Sequence, residues 1–225
     1  MESRSSGDYF LGTHDEELAR LGLQHRVWRP TVLDVWRRAG ITVGSRILDV
    51  GAGPGYAALD LAEIVGRSGR VVAVERSEQF VRAGQEACKV RGFVNVEFRR
   101  LELMSDPLPA GNFDVAWCRW VASFVSSPAV LIEKMAACIR PGGTAIFHEY
   151  ANYATWQLIP RRKLVDEFVL RVMDSWRTTG GEPDIALALL ALPPAHGFVI
   201  REAVPRVFFF APVRQISFGT GHQHF

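Results

Sequence analysis

The sequence is poor in cysteine and contains no long apolar run. Its three cysteines, Cys88, Cys118 and Cys138, are too widely spaced for a metal-ligand pattern, and their odd number does not make a disulfide framework. No run reaches the roughly 20 apolar residues that a membrane-spanning helix needs, and residues 1–10 lack the apolar stretch of a signal peptide. We therefore expect a cytoplasmic protein without a metal site or a membrane anchor.

Net charge is also nearly absent. The 26 Lys and Arg residues almost balance the 24 Asp and Glu residues, and a net charge of +2 gives no basis for a nucleic-acid partner. A hydrophobic content of 48% over 225 residues is typical of one globular domain. We divide this single domain, 1–225, into a helical cap (1–44), a core (45–150) and a last part of helices and strands (151–225).

Strand-like and helix-like segments alternate through the core. This alternation predicts an α/β fold with a doubly wound, mostly parallel sheet and right-handed crossovers. The predicted strands are 47–50, 70–75, 95–101, 113–119 and 144–149, and the predicted helices between them are 56–65, 78–91 and 128–138. Ligands of such folds bind at the carboxyl ends of the strands, where the strand order reverses.

Three glycines follow the first predicted strand at alternate positions, Gly51, Gly53 and Gly55, in RILDVGAGPGYAALDLA. Glycine permits a positive φ and lets a ligand lie against the backbone, and the helix that follows offers free N–H groups. Glu75 ends the second predicted strand, where a carboxylate can accept from both hydroxyls of a ribose. The spacing is G-x-G-x-G, whereas a dinucleotide fingerprint requires G-x-G-x-x-G. A structural turn without a ligand is the alternative.

The segment 49–55 together with Glu75 resembles the first two motifs of the class I S-adenosylmethionine-dependent methyltransferases. Three later segments match the same family in order: VEFRRLELMSDPLP, FDVAWCRWVASFV and IRPGGTAIFHEY. The stretch 8–30 is similar to the leader of a bacterial group of small-molecule methyltransferases. The resemblance implies a Rossmann-like sheet, an N-terminal helical cap and S-adenosyl-L-methionine as the cofactor.

The resemblance also implies which residues hold the cofactor. Glu102 stands where the family usually has an aspartate that accepts from the adenine amino group, and Leu103 would supply a backbone N–H. Arg119 and Trp120 would lie near the methionine part and the sulfonium, with Tyr9 and Gln24 of the leader facing it. The full set implied is Tyr9, Gln24, Asp49, Gly51, Ala52, Gly53, Gly55, Glu75, Arg76, Glu102, Leu103, Arg119 and Trp120.

The segments on either side of the core give further expectations. Thr13 and Glu16 form a capping box and Pro30 restarts a helix, so that two helices are predicted before the first strand. A long amphipathic helix is predicted after residue 160, with Leu164, Phe168, Val172 and Trp176 on one side. A last helix at 185–192 and a sixth strand at 198–210 are predicted next. The sheet of this family normally ends in a strand pair, and we expect that pair to be truncated here. Its last strand would be either 207–210 or 213–218.

Candidates for catalysis and substrate binding lie near the end of the fifth predicted strand. His148 is the candidate general base if the methyl acceptor is a hydroxyl, and Glu149, Tyr150 and His14 are other candidates. A histidine with a purely structural role is the alternative. Tyr153 and Trp156 are candidates for stacking on a planar substrate, or else belong to a packed connector.

We hypothesise a methyltransferase that acts on a small molecule, such as a polyketide, a quinone-like compound or another secondary metabolite, as a monomer or a homodimer. The atom methylated, oxygen, nitrogen or carbon, is left open. A nicotinamide-dependent oxidoreductase is one alternative, although the glycine spacing argues against it. A cofactor-binding protein without catalysis is the other.

Overall fold

Five parallel strands organise the fold in the computed structural model, which describes residues 15–208. All four neighbouring pairs are parallel, in the order β3-β2-β1-β4-β5. The predicted parallel α/β sheet is therefore confirmed. The strands are β1 (Arg46–Val50), β2 (Arg70–Glu75), β3 (Val96–Arg100), β4 (Phe113–Arg119) and β5 (Ile139–His148).

Helices cover both faces of the sheet. Because successive side chains of a strand point to opposite faces, Ile47 joins one apolar cluster and Leu48 joins the other. Helices α1 (Asp15–Arg38), α2 (Tyr56–Val65) and α3 (Glu78–Arg91) pack on the first face, and α4 (Pro128–Cys138) and α6 (Ile185–Ala188) pack on the second. The strand order reverses between β1 and β4, which places a binding edge at their carboxyl ends.

The segment before β1 is one helix, α1, and the prediction of two helices was wrong for the described residues. Pro30 lies inside α1, on its exposed side. It gives up a single backbone hydrogen bond because its nitrogen carries no hydrogen. Val32 and Trp36 are buried in the core, and this packing keeps the second half of the helix in line. Thr13 lies outside the described residues, so the capping box stays a prediction.

Helix α5 (Lys163–Thr178) forms as predicted, but its inward face differs. Val169 and Met173 are buried, whereas Leu164 and Phe168 are 81% and 57% exposed. Apolar residues occupy two neighbouring rows of this helix. The row of Val169 and Met173 is buried, and the predicted row packs inward at Trp176, which contacts the rings of Tyr150 and Tyr153. The sequence pattern alone does not distinguish the two rows.

The predicted sixth strand is absent from the described part of 198–210. Residues 198–208 contain no strand and run beside α1, where Glu202 pairs with Arg38 and Arg206 lies 3.6 Å from Asp34. Pro205 lacks the N–H that a sheet ladder requires. Helix α6 ends at Ala188 and is shorter than the predicted 185–192. Residues 209–225, which include 209–210 and the predicted strand 213–218, lie outside the described residues.

Within residues 15–208, no helix combines the length and the apolar character needed to cross a bilayer.

Candidate active site

The glycine turn after β1 has a left-handed backbone at all three alternate glycines. The φ angles of Gly51, Gly53 and Gly55 are +68°, +55° and +88°. A Cβ on Gly51 would lie 2.3 Å from Cγ2 of Val121, and one on Gly55 would lie 2.4 Å from Cζ of Phe98. No atom of the described residues comes within 4 Å of a Cβ built on Gly53. Packing therefore demands glycine at the first and third positions, while the second faces open space.

Glu75 at the end of β2 is joined directly to this turn. The N–H of Gly53 donates to its Oε2 and the N–H of Ser77 donates to its Oε1, both at 2.9 Å. The N–H groups of Gly51 and Ala52 both donate to one carbonyl at the end of β2, at 2.9 and 3.0 Å. Burial raises the pKa of Glu75, and the hydrogen bonds from the N–H groups of Ser77 and Gly53 oppose that rise. The carboxylate is thus fixed beside the open space at Gly53.

Asp49 lies within β1, immediately below the glycine turn. Its side chain is buried, and Oδ2 has no hydrogen-bond partner among residues 15–208. Burial raises the pKa of Asp49 to about 7, with Arg119 lowering it and the nearby Glu75 raising it further. Asp49 is therefore a buried acid whose charge depends on its neighbours and on whatever occupies the edge of the sheet.

The loop after β3 carries Glu102 and Leu103 and is held by a lysine from α4. Nζ of Lys134 donates to the carbonyls of Leu103, Met104 and Asp106 at 2.7, 3.0 and 2.8 Å. The carboxylate of Asp106 also accepts from the N–H of Glu102 at 2.8 Å. The side chain of Glu102 remains exposed. The sequence analysis missed Lys134 because a lone lysine on a helix carries no signal of its partners.

Arg119 at the end of β4 faces a buried pair formed by α1 and α2. Its Nη2 lies 3.2 Å from Nδ1 of His25, and Nε2 of His25 lies 3.1 Å from the carboxylate of Asp60. Arg29 donates to the same carboxylate at 2.7 Å. Burial lowers the pKa of Arg119, and the charge of Asp49 acts in the opposite direction. Sequence reasoning missed His25, Arg29 and Asp60, although a carboxylate within an apolar helix signals that a partner is needed.

Aromatic rings gather beside Arg119 at the carboxyl ends of β4 and β5. Trp120 stacks on Tyr150 with ring centroids 5.6 Å apart and an interplanar angle of 11°, and the Arg119 guanidinium lies 5.0 Å from the Trp120 ring. Trp120 has a φ of +53°, which is strained for a residue other than glycine. We call the connected rings the aromatic cluster: Trp28, Trp120, Phe124, His148, Tyr150, Tyr153, Trp176 and Phe208.

Comparison with known proteins agrees with this arrangement. The family model described as "Methyltransferase domain" matches residues 47–143. "Ubiquinone/menaquinone biosynthesis C-methyltransferase UbiE" of Pseudomonas putida is 27% identical over 132 residues, 58% of this chain and 50% of that protein. "Demethylmenaquinone methyltransferase" of Geobacillus kaustophilus is 32% identical over 123 residues, 55% of this chain and 51% of that protein. Residues 47–143 are therefore similar to S-adenosylmethionine-dependent methyltransferases.

The family model matches the central part of this chain, and the curated relatives are matched over only part of their own length. The chain spans about half the length of the curated relatives it matches. A solved structure from Bacillus halodurans has a TM-score of 0.59 at 18% identity, over 76% of this chain and 69% of that chain. At that identity the likeness shows the fold alone.

His148 ends β5 and lies within the aromatic cluster. Its ring centroid is 5.1 Å from that of Trp28 and 5.3 Å from that of Trp120. Burial and the charge of Arg119 lower the pKa of His148 to about 4. The imidazole is therefore neutral at pH 7 and is a weak base, and its catalytic role stays a prediction.

Glu149, the residue after β5, holds the backbone beyond β4. Its Oε1 accepts from the N–H groups of Val121 and Ala122 at 2.7 and 2.8 Å. Its Oε2 is buried with no partner in the described part of the chain. Burial raises the pKa of Glu149 from 4.5 to about 7, against the effect of the two backbone donors. This geometry favours a structural role for Glu149 rather than that of a general base.

We predict that Glu149→Gln stabilises the protein at pH 8 more than at pH 5. Because the pKa of Glu149 is higher in the folded state, its contribution to stability is full below about pH 4.5 and is lost as the pH rises through about 7. Glutamine keeps the oxygen that accepts from Val121 and Ala122 but does not ionise. Urea unfolding of both proteins at the two pH values measures the effect, and an equal difference at pH 5 and pH 8 would contradict it.

The other predicted site residues differ in whether they join the aromatic cluster. Tyr153 joins the aromatic cluster, with its ring centroid 5.2 Å from that of Tyr150. Trp156 is 57% exposed, and no ring contact joins it to the cluster within residues 15–208. Gln24 accepts from Arg20 of its own helix at 3.4 Å.

The remaining predictions concern the exposed rim and possible metal ligands. Arg76 is exposed, and its carbonyl accepts from Arg100 at 3.3 Å. Tyr9 and His14 lie outside the described residues. Within residues 15–208, no three His, Cys, Asp or Glu side chains are grouped as metal ligands would be. The roles assigned to individual cofactor and substrate residues stay predictions.

Proposed function

We propose that the chain transfers the methyl group of S-adenosylmethionine to a small-molecule acceptor. One observation carries this proposal: the glycine turn, the carboxylate of Glu75 and the guanidinium of Arg119 meet at the edge where the strand order reverses. Each of these groups matches a different part of a nucleoside that carries an amino-acid tail.

The residues at this edge fit the cofactor. The open space at Gly53 would admit a ligand against the backbone. Each oxygen of Glu75 accepts one backbone N–H and keeps a further lone pair for a ribose hydroxyl. The loop held by Lys134 would hold the adenine through Glu102 and Leu103. Nη1 of Arg119, buried and without an acceptor among the described residues, would bind the carboxylate of the methionine part.

We place the acceptor against the aromatic cluster and propose that it is planar and largely apolar. Stacked and edge-on rings give such a molecule a large contact area with defined orientation. Trp120 and Tyr150 present parallel rings next to Arg119, which marks the methionine end of the proposed cofactor site. The names of two relatives, both quinone-pathway methyltransferases, agree with a quinone-like acceptor. A polyketide or another aromatic secondary metabolite has the same chemistry.

The protein contributes alignment and exclusion of water to the proposed reaction. When bound, S-adenosylmethionine supplies a methyl group already activated by a sulfonium leaving group. The rings of the cluster hold the acceptor in line and shield it from solvent. If the acceptor is a hydroxyl, the neutral imidazole of His148 accepts a hydrogen bond from it and takes the proton as the oxygen is methylated. Carbon or nitrogen acceptors would use His148 only as a packing surface.

We further propose a cytoplasmic protein, acting as a monomer or homodimer without a nucleic-acid partner. Cys88, Cys118 and Cys138 are all free and buried, which agrees with a reducing compartment. The small net charge of +2 agrees with a small-molecule acceptor rather than a polyanion.

Calorimetry followed by a transfer assay tests the proposal. We expect micromolar binding of S-adenosylmethionine and S-adenosylhomocysteine and no binding of NADH. We then expect transfer of an isotope-labelled methyl group to a hydroquinone or catechol, detected by mass spectrometry, and none to a simple alkyl amine. Preferential binding of NADH would instead support an oxidoreductase. Cofactor binding without transfer to any member of a broad aromatic panel would indicate a non-catalytic binding protein.

A further inference from the structure

A buried carboxylate links α1 to α2 beneath the edge of the sheet. Asp60 is 8% exposed in an α2 helix whose residues 57–62 are otherwise apolar and buried. Its carboxylate lies 3.1 Å from Nε2 of His25 and accepts a hydrogen bond from Nε of Arg29 at 2.7 Å. Burial opposes ionisation of Asp60, but the hydrogen bonds of His25 and Arg29 outweigh it and lower the pKa of the carboxyl. Asp60 is therefore an ionised acceptor on the buried side of α1.

The ionised Asp60 determines which nitrogen of His25 carries the proton. A carboxylate only accepts, so that Nε2 of His25 must donate to it. Nδ1 is then free to accept, and it lies 3.2 Å from Nη2 of Arg119, which can only donate. The chain of hydrogen bonds runs in one direction, from Arg119 to His25 to Asp60, and it ties β4 to α1 and α2.

One contact orients the Arg119 guanidinium, and one of its buried nitrogens has no acceptor among the described residues. Nη2 is directed to His25, and Cζ of the guanidinium lies 5.0 Å from the centroid of the Trp120 ring. Nη1 is buried and finds no acceptor within residues 15–208. A guanidinium withdrawn from water with a free donor favours a carboxylate ligand. Without His25, its long side chain would sample other rotamers.

We infer that His25, fixed by Asp60, is a positioning residue that aims Arg119 at the carboxylate of the cofactor's amino-acid tail. This inference rests on the proposed function, because it specifies how that site recognises one end of S-adenosylmethionine. It also gives helix α1 a direct part in cofactor selection. The adenosine end, held at Glu75 and the loop after β3, is independent of His25.

Two ligands separate the two ends of the site. S-adenosylhomocysteine carries the amino-acid tail, and 5′-methylthioadenosine keeps the adenosine and the sulfur but lacks the carboxylate. We expect the folded wild-type protein to prefer S-adenosylhomocysteine. We expect His25→Leu to lower the affinity for S-adenosylhomocysteine by about 10- to 100-fold, the range for loss of hydrogen bonds to a charged group. The affinity for 5′-methylthioadenosine should change by less than about threefold, because no charged hydrogen bond to that ligand is lost.

Three further variants keep the test independent of folding. Asn at position 25 can place its oxygen near the position of Nδ1, so His25→Asn should retain most of the preference for S-adenosylhomocysteine. Asp60→Asn lets the amide donate to Nε2 and moves the proton to Nδ1, which can no longer accept from Arg119; we expect an intermediate loss of preference. Val32→Ala loosens the packing of α1 without touching this chain and should leave the preference unchanged.

Each outcome of calorimetry has a defined meaning. Selective loss of S-adenosylhomocysteine binding in His25→Leu, with recovery in His25→Asn, supports the inference. Equal weakening of both ligands, or no weakening, would overturn it and leave the proposed function standing. A wild-type protein that binds both ligands equally also overturns it, because Arg119 then recognises no carboxylate. A folded wild-type protein that binds neither ligand overturns the proposed function itself.

Discussion

Replacing Glu75 with alanine is expected to weaken S-adenosylmethionine binding by about 100-fold or more while the protein stays folded. Hydrogen bonds to a charged carboxylate each contribute about 1.5–3 kcal/mol, and the variant loses two that the ribose hydroxyls would make. It also releases the N–H groups of Gly53 and Ser77, each of which donates to Glu75 at 2.9 Å. Calorimetry with S-adenosylmethionine, beside a thermal unfolding curve, measures both consequences.

Two companion variants show whether the carboxylate itself is required. Glu75→Gln keeps the shape but turns an NH₂ group toward the N–H of Gly53 or Ser77, so we expect it to bind almost as poorly as Glu75→Ala. Glu97→Ala removes an acidic side chain from the neighbouring strand β3, where Glu97 pairs with Arg70 and Arg99. It should bind the cofactor as the wild type does. Retention of wild-type affinity in Glu75→Ala would exclude the ribose contact.

The sheet was predictable because its determinants are local. Strands β1, β2 and β4 are short, mostly apolar runs, and the bounds of α2, α3 and α4 coincide with the predicted ones. The N-caps Ser77 and Ser127 accept from the N–H groups of Phe80 and Val130, as a capping pattern requires. Glu75 and the glycines are adjacent in space because parallel strands end at the same edge of the sheet.

The hydrogen-bond chain behind Arg119 was not predictable from such patterns. His25 and Asp60 are 35 positions apart, and His25 and Arg119 are 94 positions apart. The register between α1 and the sheet decides these contacts, and no pattern within either segment specifies that register. A histidine on an amphipathic helix looks the same in the sequence whether it is solvated or bonded.

The region after β5 shows where local signals mislead. Tyr153 and Trp156 both follow the strand end closely, but only Tyr153 joins the aromatic cluster. The N–H of Tyr153 donates to Asp184 at 2.5 Å, and the Tyr153 ring centroid lies 5.6 Å from that of Trp176. Trp156 lies beyond the short helical turn and faces solvent. The apolar residues within 198–208 likewise suggested a strand. Glu202 and Arg206 of the same segment instead pair with charged residues of α1.

Replacing Gly51 with alanine is expected to destabilise the protein far more than the same change at Gly53. Both positions have a left-handed φ, +68° and +55°, so both alanines carry a backbone strain of about 1–2 kcal/mol. The Gly51→Ala Cβ would also lie 2.3 Å from Cγ2 of Val121, and overpacking adds about 1–3 kcal/mol. Urea unfolding of the two variants measures the difference, which isolates the clash because the strain is shared.

A second substitution identifies the clash as the cause. Val121→Ala in the Gly51→Ala background removes the methyl group that the new Cβ meets, and it should restore the overpacking part of the loss but not the strain. Equal stability of Gly51→Ala and Gly53→Ala would contradict the prediction, as would a double variant no more stable than Gly51→Ala alone.

The same pair of glycines separates the fold from the ligand site. Apart from Gly53 and its two chain neighbours, no residue of 15–208 has an atom within 4 Å of a Cβ placed on Gly53, so that Gly53→Ala should fold with only the cost of its strain. If a nucleoside lies against this backbone, the added methyl group occupies the ligand's space, and we expect S-adenosylmethionine affinity to fall by at least about tenfold. A well-folded Gly53→Ala protein with wild-type affinity would place the cofactor elsewhere along the edge of the sheet. The two alanine variants thus separate the role of the glycine turn in packing from its role in binding.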